Sequence, residues 1–272
     1  ADIGAIVTKS ILLEPRSGRA TPRMAETPSG MLNSIGLQGP GIDQFIEDDL
    51  KWLEKNQVRT IVSIAGNNAE EFGRIAGKLR KVGENVVGIE VNISCPNVAN
   101  RGLVFACQPE SAHEVISIVR RTIGGSYPIF AKLSPDVTDI VSIAKAVVDA
   151  GASGVSVINT LLGMVIDTQL MKPALAGVTG GLSGPAIRPV AVRAVWQIRQ
   201  AFPDLPIIGM GGILSGNDAF EFVLAGANAF AIGTANFHDP SSISRIQSEL
   251  AQILFERGFS SLQEAVSFAH RN

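Results

Sequence analysis

Short apolar runs rich in β-branched residues recur along the chain, and amphipathic stretches separate most of them. Seven runs predict β-strands, at residues 4–10, 59–66, 87–94, 128–135, 154–160, 206–212 and 229–235. Apolar residues at i, i+3, i+4 and i+7 predict helices at residues 68–82, 109–123, 137–151 and 215–227. Strands that are apolar on both faces and alternate with helices indicate parallel βα units, in a covered sheet or a barrel wall.

Residues typical of helix ends support two of these helices. Thr138 and Ser215 are predicted N-caps, because a side-chain hydroxyl can accept a hydrogen bond from an unpaired backbone N–H of the first turn. Gly151 and Gly226 are predicted C-terminal stops.

The strand count is one short of a closed barrel, which has eight strands. A hidden eighth strand, an open sheet or a missing unit would each explain this count. Because the first predicted strand begins near residue 4 with no helix before it, a missing unit is the simplest explanation, and we predict an α/β fold of the (β/α)8 TIM-barrel class that lacks its first βα unit in this chain. We expect the natural protein to have that segment, since an incomplete barrel exposes two strand edges. We predict a single barrel domain over residues 1–272. Within it, residues 11–57 include a small mouth-covering subdomain or long loop.

Composition and charge narrow the class of protein. The chain has 272 residues, 46% hydrophobic and 18% charged, with a formal net charge of −2, so it can bury a large core and we expect no nucleic-acid or membrane partner. No apolar run reaches the roughly 18 residues of a membrane span, and no signal peptide is evident. Two cysteines in a chain of this length indicate a reducing compartment, and we expect a cytoplasmic protein. Three scattered histidines and no C-x-x-C or H-E-x-x-H motif predict no metal site.

The predicted strand ends bear the chemistry, because catalytic groups of a parallel barrel lie at the carboxyl ends of its strands. These positions hold small, amide, thiol, hydroxyl or cationic residues: Lys9, Ser10, Ser63, Gly66, Asn92, Cys95, Asn97, Lys132, Asn159, Thr160, Gly211, Gly212, Gly233 and Thr234. We expect no Asp or Glu among them, which disfavours a carboxylate-pair hydrolase and an enolase-type metal site. Glycine turns after the last two strands predict a phosphate site for a cofactor or substrate.

Each of these signals also has a purely structural interpretation. Gly211 and Gly212 could only turn the chain, and Lys132 could be a solvated strand-end lysine, although its apolar neighbours favour a buried position. Cys95 could be a small buried side chain, the common fate of a lone cysteine. Its place after a strand, before a proline and between two asparagines favours a catalytic role, whereas Cys107 has no such neighbours and is predicted to be structural.

Six motifs, in order over about residues 4–265, resemble the catalytic subunit of class 1 dihydroorotate dehydrogenases. They are TPRMAETPSGMLNSIGLQGPG, VNISCPNV, KLSPDVTDIV, VTGGLSGPAIRPVA, IIGMGGI and GTANFHDP. NSIGLQGPG and VTGGLSGPAIRP are most similar to class 1B, the FMN subunit of a two-protein, NAD-dependent enzyme. The resemblance implies an FMN-binding (β/α)8 barrel that oxidises (S)-dihydroorotate to orotate in pyrimidine biosynthesis.

The resemblance also implies roles for individual residues. Cys95 would be the general base that removes the C5 proton while the C6 hydride goes to FMN. Substrate binding is implied for Lys9, Asn33, Ser34, Ile35, Gly36, Leu37, Asn92, Asn97, Asn159 and Thr160. Cofactor binding is implied for Lys9, Ser10, Ser63, Asn92, Lys132, Ile158, Gly184, Gly211, Gly212, Gly233 and Thr234. Two departures from the family pattern are Ser63, where many relatives have Asn, and the loop after Cys95, which lacks the usual glycine pair.

Partners and alternatives follow from the same resemblance. It implies a homodimer of this subunit that joins an electron-transfer subunit in a heterotetramer. FAD and an iron–sulfur cluster would lie only in that partner, since a cluster needs about four cysteines and this chain has two. The alternatives are a class 1A homodimer that reduces fumarate and a dihydropyrimidine dehydrogenase-like reductase, against which Lys9 favours orotate. A non-catalytic remnant that binds a partner is a further alternative.

Overall fold

Parallel strands form the central sheet of the protein, whose computed structural model describes residues 3–94 and 108–271. In chain order, the strands are β1 (Ile6–Val7), β2 (Met24–Thr27), β3 (Gly30–Asn33), β4 (Thr60–Ile64), β5 (Val86–Asn92), β6 (Ile129–Leu133), β7 (Gly154–Val157), β8 (Leu161–Gly163), β9 (Ile166–Asp167), β10 (Lys172–Pro173), β11 (Gly180–Ser183), β12 (Ile207–Met210) and β13 (Ala229–Ala231). The central sheet has the order β1-β4-β5-β6-β7-β12-β13, and every neighbouring pair is parallel. Each of these strands overlaps one of the seven predicted runs, so their prediction is confirmed.

Helices cover the outer face of the central sheet. They are α1 (Ile42–Phe45), α2 (Lys51–Lys55), α3 (Ala69–Lys78), α4 (Pro109–Ile123), α5 (Ile140–Asp149), α6 (Arg188–Ala201), α7 (Gly216–Ala225), α8 (Ala235–His238), α9 (Ser242–Glu256) and α10 (Leu262–Ala265). A π-helical segment, Ile46–Leu50, joins α1 to α2, and 3-10 segments lie at Leu79–Lys81, Pro185–Ile187 and Phe268–Arg271. Helices α3 to α7 pack side by side in chain order. The fold is therefore α/β with the TIM-barrel arrangement, as predicted. In the described part of the chain, no helix has the length and apolar character needed to cross a bilayer.

The two faces of the central strands have different chemistry because side chains alternate along a strand. In β5, Ile89 and Val91 are fully buried and share one apolar core with helical residues such as Val115. Glu90 and Asn92 point to the opposite face of the sheet, which is the inner face of the barrel. Burial of the outer face fixes the register, and the register in turn fixes which side chains reach the interior.

The predicted caps of α7 are both confirmed. The Ser215 side chain accepts a hydrogen bond from the Asp218 backbone N–H at 3.2 Å, and Asp218 accepts from the Ser215 backbone N–H at 3.0 Å. This reciprocal pair is a capping box. Gly226 ends the helix with a φ of 118°, a conformation that a residue with a Cβ rarely adopts.

The predicted N-cap of α5 is wrong. Thr138 lies one residue too early, and Asp139 is the N-cap. One carboxylate oxygen of Asp139 accepts from the backbone N–H groups of both Val141 and Ser142, at 3.0 and 3.2 Å. A carboxylate has more acceptor sites than a hydroxyl and a charge that favours the helix N-terminus, so Asp139 is the better cap. Gly151 follows the end of the helix with a φ of 97°, which agrees with its predicted role as a stop.

A second, antiparallel sheet lies at the carboxyl ends of the central strands. Its order is β2-β3-β11-β8, and we call it the covering sheet. The β2–β3 hairpin comes from the segment predicted to cover the mouth, whereas β8 and β11 come from residues 161–183. Strands β3 and β11 of this sheet approach closely at Gly30, where a Cβ would lie 2.3 Å from the Ser183 carbonyl oxygen. The covering sheet therefore depends on chain segments about 150 residues apart.

Candidate active site

A cavity of about 280 Å³ lies at the carboxyl ends of the central strands. Much of its wall is apolar: Val7, Ile158, Ile187, Met210, Ile213, Leu214, Ala231, Ile232 and Ala235. Nine predicted site residues also line it: Lys132, Ile158, Asn159, Thr160, Gly184, Gly211, Gly212, Gly233 and Thr234. A mainly apolar cavity with a few polar groups at this end of a barrel is typical of a ligand site.

A network of hydroxyl and amide groups links the ends of four strands. The Asn92 amide donates to the Ser10 hydroxyl at 2.8 Å, and that oxygen lies 3.0 Å from the Ser63 hydroxyl oxygen. The Asn92 side-chain oxygen Oδ1 accepts from the Ser94 hydroxyl at 2.9 Å. The Asn159 amide donates to the same Ser94 hydroxyl at 2.6 Å. The structure thus brings Ser10, Ser63, Asn92 and Asn159 together, and the network fixes the orientation of both amides.

A buried carboxylate lies beside this network, contrary to the expectation that the strand ends carry none. Glu90 accepts a hydrogen bond from the Ser63 hydroxyl at 3.0 Å, and its other oxygen lies 3.6 Å from the Lys132 ammonium nitrogen. The side chains of Glu90 and Lys132 are only 5% and 15% exposed. Both residues line the cavity. The sequence did contain a signal, since Glu90 interrupts an apolar strand two residues before Asn92 and must share its face.

Glycine turns form another part of the cavity wall. Gly211 and Gly212 have φ values of 131° and 74°, and Gly184 has a φ of 95°. A Cβ on Gly212 would lie 2.7 Å from the Gly184 carbonyl oxygen, so the two turns touch. By contrast, a Cβ on Gly233 would meet no atom within 4 Å, because the space in front of it is open. Turns of this kind leave room for a ligand next to the backbone, as phosphate sites require.

The predicted substrate stretch 33–37 follows β3 of the covering sheet. The Asn33 amide donates to the Gly181 carbonyl oxygen at 3.4 Å. The Ser34 hydroxyl accepts from Arg19 at 3.0 Å. Both Ser34 and Leu37 are buried, and Leu37 packs with Leu12 and Ala65. These contacts hold the stretch against the rest of the chain.

Within that stretch, Ile35 and Gly36 lie against Arg19. The Ile35 carbonyl oxygen accepts from the Arg19 backbone N–H at 3.0 Å, and Gly36 has a φ of 81°. Lys9 is exposed where the chain leaves β1, one residue before Ser10. Cys95, Asn97 and Cys107 lie outside the described residues. Their predicted roles stay predictions.

Comparison with known proteins identifies the family. A sequence model described as dihydroorotate dehydrogenase matches residues 1–254 of the chain. The chain belongs to the dihydroorotate dehydrogenase family. This finding confirms the family, fold class and oxidoreductase activity that the sequence motifs implied.

Several relatives of this dihydroorotate dehydrogenase chain share about half of its residues. A protein from Geotalea daltonii is 53% identical over 264 residues, which are 97% of this chain and 85% of the relative. A protein from Desulforamulus reducens is 50% identical over 98% of this chain and 87% of its own length. One from Anoxybacillus flavithermus is 48% identical over 99% and 85%. Each of these three relatives is named the catalytic subunit of dihydroorotate dehydrogenase B (NAD+).

The cavity fits FMN, on which this dihydroorotate dehydrogenase family generally depends. Apolar side chains such as Ile158 and Met210 provide walls for a flat ring system. Lys132 provides a cation, and the open space in front of Gly233 leaves room for a phosphate group. The buried Ser156 hydroxyl has no hydrogen-bond partner and lies in register with Lys132. The same face of the sheet therefore has a hydroxyl group that is free to hydrogen-bond a ligand.

Proposed function

We propose that this chain is the catalytic subunit of a B-type dihydroorotate dehydrogenase. It oxidises (S)-dihydroorotate to orotate with bound FMN, and the electrons pass through a partner subunit to NAD. The observation that supports this most strongly is that the glycine turns and Asn159, which belongs to the amide network, line one cavity at the strand ends. The names of the relatives favour the B type.

FMN, when bound, supplies a hydride acceptor. In our proposal, Gly184, Gly211, Gly212, Gly233 and Thr234 hold its phosphate and ribityl end. Ile158 would line the side of the cavity that takes the ring, and Lys132 would stabilise negative charge on the cofactor. The hydroxyl groups of Ser10 and Ser63 complete the polar surroundings of the ring.

The substrate is a pyrimidine ring with both donors and acceptors along its edge, which amide side chains match. Asn92 and Asn159 are already oriented by Ser94, so little ordering entropy is lost when they bind a ligand. Thr160 continues the same wall, and its backbone N–H donates to the Asn159 side-chain oxygen Oδ1 at 2.8 Å. We assign Lys9, Asn97 and the stretch 33–37 to the remaining edges of the substrate, with Lys9 on the carboxylate.

Proton removal is assigned to Cys95. Its thiolate takes the C5 proton of dihydroorotate as the C6 hydride leaves, so the C5–C6 double bond of orotate forms and two electrons leave the substrate. Cys95 directly follows Ser94 in the sequence, and Ser94 receives the hydrogen bond from Asn159. The proposed base is therefore the next residue along the chain from one that is hydrogen-bonded to both amides.

We assign the remaining electron carriers to a partner. In this proposal FAD and an iron–sulfur cluster lie in an electron-transfer subunit, and two copies of each subunit form a heterotetramer. The cytoplasmic location stays a prediction from the sequence.

The electron acceptor tests the B-type assignment. We expect the purified chain with FMN to oxidise dihydroorotate to orotate with NAD as the electron acceptor only when the partner subunit is added. Turnover with fumarate by the chain alone would instead identify an A-type enzyme. Turnover of dihydrouracil in place of dihydroorotate would identify a dihydropyrimidine enzyme.

A further inference from the structure

We propose that Glu90 is a positioning residue that balances the charge of Lys132 and so lowers the preference of the site for reduced over oxidised FMN. This inference rests on the proposed function, because it takes Lys132 to face bound FMN. Neither the sequence motifs nor the comparisons assign a role to Glu90.

Glu90 contacts a residue of each neighbouring strand, Ser63 of β4 and Lys132 of β6. The strand register places Glu90 beside Ser63 of β4 and Asn92 beside Lys132 of β6. One carboxylate oxygen accepts from the Ser63 hydroxyl at 3.0 Å, and the other lies 3.6 Å from the Lys132 nitrogen. Through Ser63, the carboxylate also connects to Ser10 and the amide network.

A purely structural role explains this pair poorly. Burying two charges is costly, and apolar residues of similar volume often stabilise a core as well or better. The pair is also not enclosed in the core, since both residues line the cavity that we assign to FMN. A charge pair at the wall of a ligand cavity acts on whatever charge the ligand acquires there.

The expected effect follows from the sign of each charge. The Lys132 cation favours reduced FMN, which is more negative than oxidised FMN. The Glu90 carboxylate, 3.6 Å from that cation, opposes this preference. The bound flavin thereby keeps its electrons less tightly, which suits a subunit that must pass them to a partner.

Removing the Glu90 charge should therefore raise the flavin potential. At an effective dielectric constant of about 20, a unit charge within about 10 Å changes an equilibrium constant by about tenfold or more. Glu90→Gln keeps the size of the side chain and an oxygen that can accept from Ser63. We expect it to tighten reduced FMN relative to oxidised FMN by about tenfold, an upward shift of about 30 mV for this two-electron couple.

The experiment is a redox titration of the FMN-loaded protein, with separate measurement of the dissociation constants of oxidised and reduced FMN. We expect Glu90→Gln to raise the potential through tighter binding of reduced FMN, and Glu90→Asp, which keeps the charge, to stay close to the native value. An unchanged or lower potential in Glu90→Gln would overturn the inference. Equal shifts in Glu90→Gln and Glu90→Asp would also overturn it, because packing would then be the cause.

Two further variants keep the test decisive if Glu90→Gln alone does not fold. Lys132→Met should lower the potential, and the neutral double variant Glu90→Gln/Lys132→Met should bring it back up. A flavin potential in the double variant no higher than in Lys132→Met would contradict charge balancing.

Failure of the native chain to bind FMN would overturn the proposed function together with this inference. FMN that binds and is reduced by dihydroorotate, with no effect of Glu90, would overturn the inference alone.

Discussion

Asn92 is the residue that best explains how the site is organised. Its side chain donates to Ser10 and accepts from Ser94, so it connects the end of β5 to the segment after β1 and, through Ser94, to Asn159 after β7. An amide held at both ends presents a fixed pattern to a ligand, which is how a site distinguishes one ring edge from another. The chemistry of the cavity therefore depends on side chains whose orientation is fixed before a ligand arrives.

Two glycines of the cavity wall give a matched test of the cofactor site. Gly212→Ala should destabilise the fold by about 1 kcal/mol or more, because Gly212 has a φ of 74° and its Cβ would lie 2.7 Å from the Gly184 carbonyl oxygen. Gly233→Ala should leave the free energy of unfolding almost unchanged, since its Cβ meets no atom within 4 Å. Urea unfolding of the FMN-free proteins measures both values.

The same pair tests where the phosphate binds. If the phosphate of FMN occupies the open space in front of Gly233, the added methyl group of Gly233→Ala should weaken FMN binding at least about tenfold in a fully stable protein. Unaltered FMN affinity in that variant would place the phosphate elsewhere.

At the residue scale, the sequence predicted most of the polar site residues but not the buried carboxylate that contacts two of them. Ser63, Asn92, Lys132 and Asn159 were predicted from their positions at strand ends, because the carboxyl ends of parallel strands lie on the same side of the sheet. It missed Glu90, which lies two residues before the end of β5 within a largely apolar run. Alternation with Asn92 would have revealed it, since every second residue of β5 faces the interior.

At the scale of elements, helix caps follow local chemistry that the sequence contains. Ser215 and Asp218 form a capping box at the start of α7, which precedes the turn into β13. The start of α5 was misplaced because two neighbouring residues, Thr138 and Asp139, can both cap a helix, and the choice depends on which one leaves the following N–H groups within reach.

A pair of substitutions tests this account of the caps. Ser215→Ala should lower the free energy of unfolding by about 1 kcal/mol, because the Asp218 backbone N–H loses its acceptor. Thr138→Ala should change it by less than about 0.5 kcal/mol, since Asp139 and not Thr138 accepts from the first turn of α5. Urea denaturation at neutral pH compares the two. Equal losses in the two variants would mean that Thr138 shares the capping of α5.

The covering sheet shows what local patterns cannot predict. The β2–β3 hairpin lies within residues 24–33, but its partners β11 and β8 come from residues 161–183. Those strands are only three or four residues long and contain several glycines. Neither an alternation of apolar and polar residues nor a high β-propensity therefore identifies them in the sequence. Their pairing depends on long-range contacts that form only when the barrel has folded.

At the scale of the whole molecule, the repeated βα pattern was enough to predict the fold class. The seven parallel strands recur in the order of the chain, and α3 to α7 cover them in the same order. This regularity places the carboxyl ends of the seven strands on one side, where Ser183 of the covering sheet lines the cavity. A site assembled from six separate motifs therefore becomes continuous only in the complete fold.

The most direct test of the central claim is anaerobic reduction of the protein-bound flavin by dihydroorotate, without partner or added acceptor. Our account predicts that the yellow band bleaches in a single turnover, that Cys95→Ala slows bleaching by about 10²–10⁴ without loss of flavin, and that Cys107→Ala does not change it. A yellow protein that dihydroorotate does not bleach would contradict the assigned substrate. A folded protein that binds no flavin would contradict the assigned chemistry as a whole.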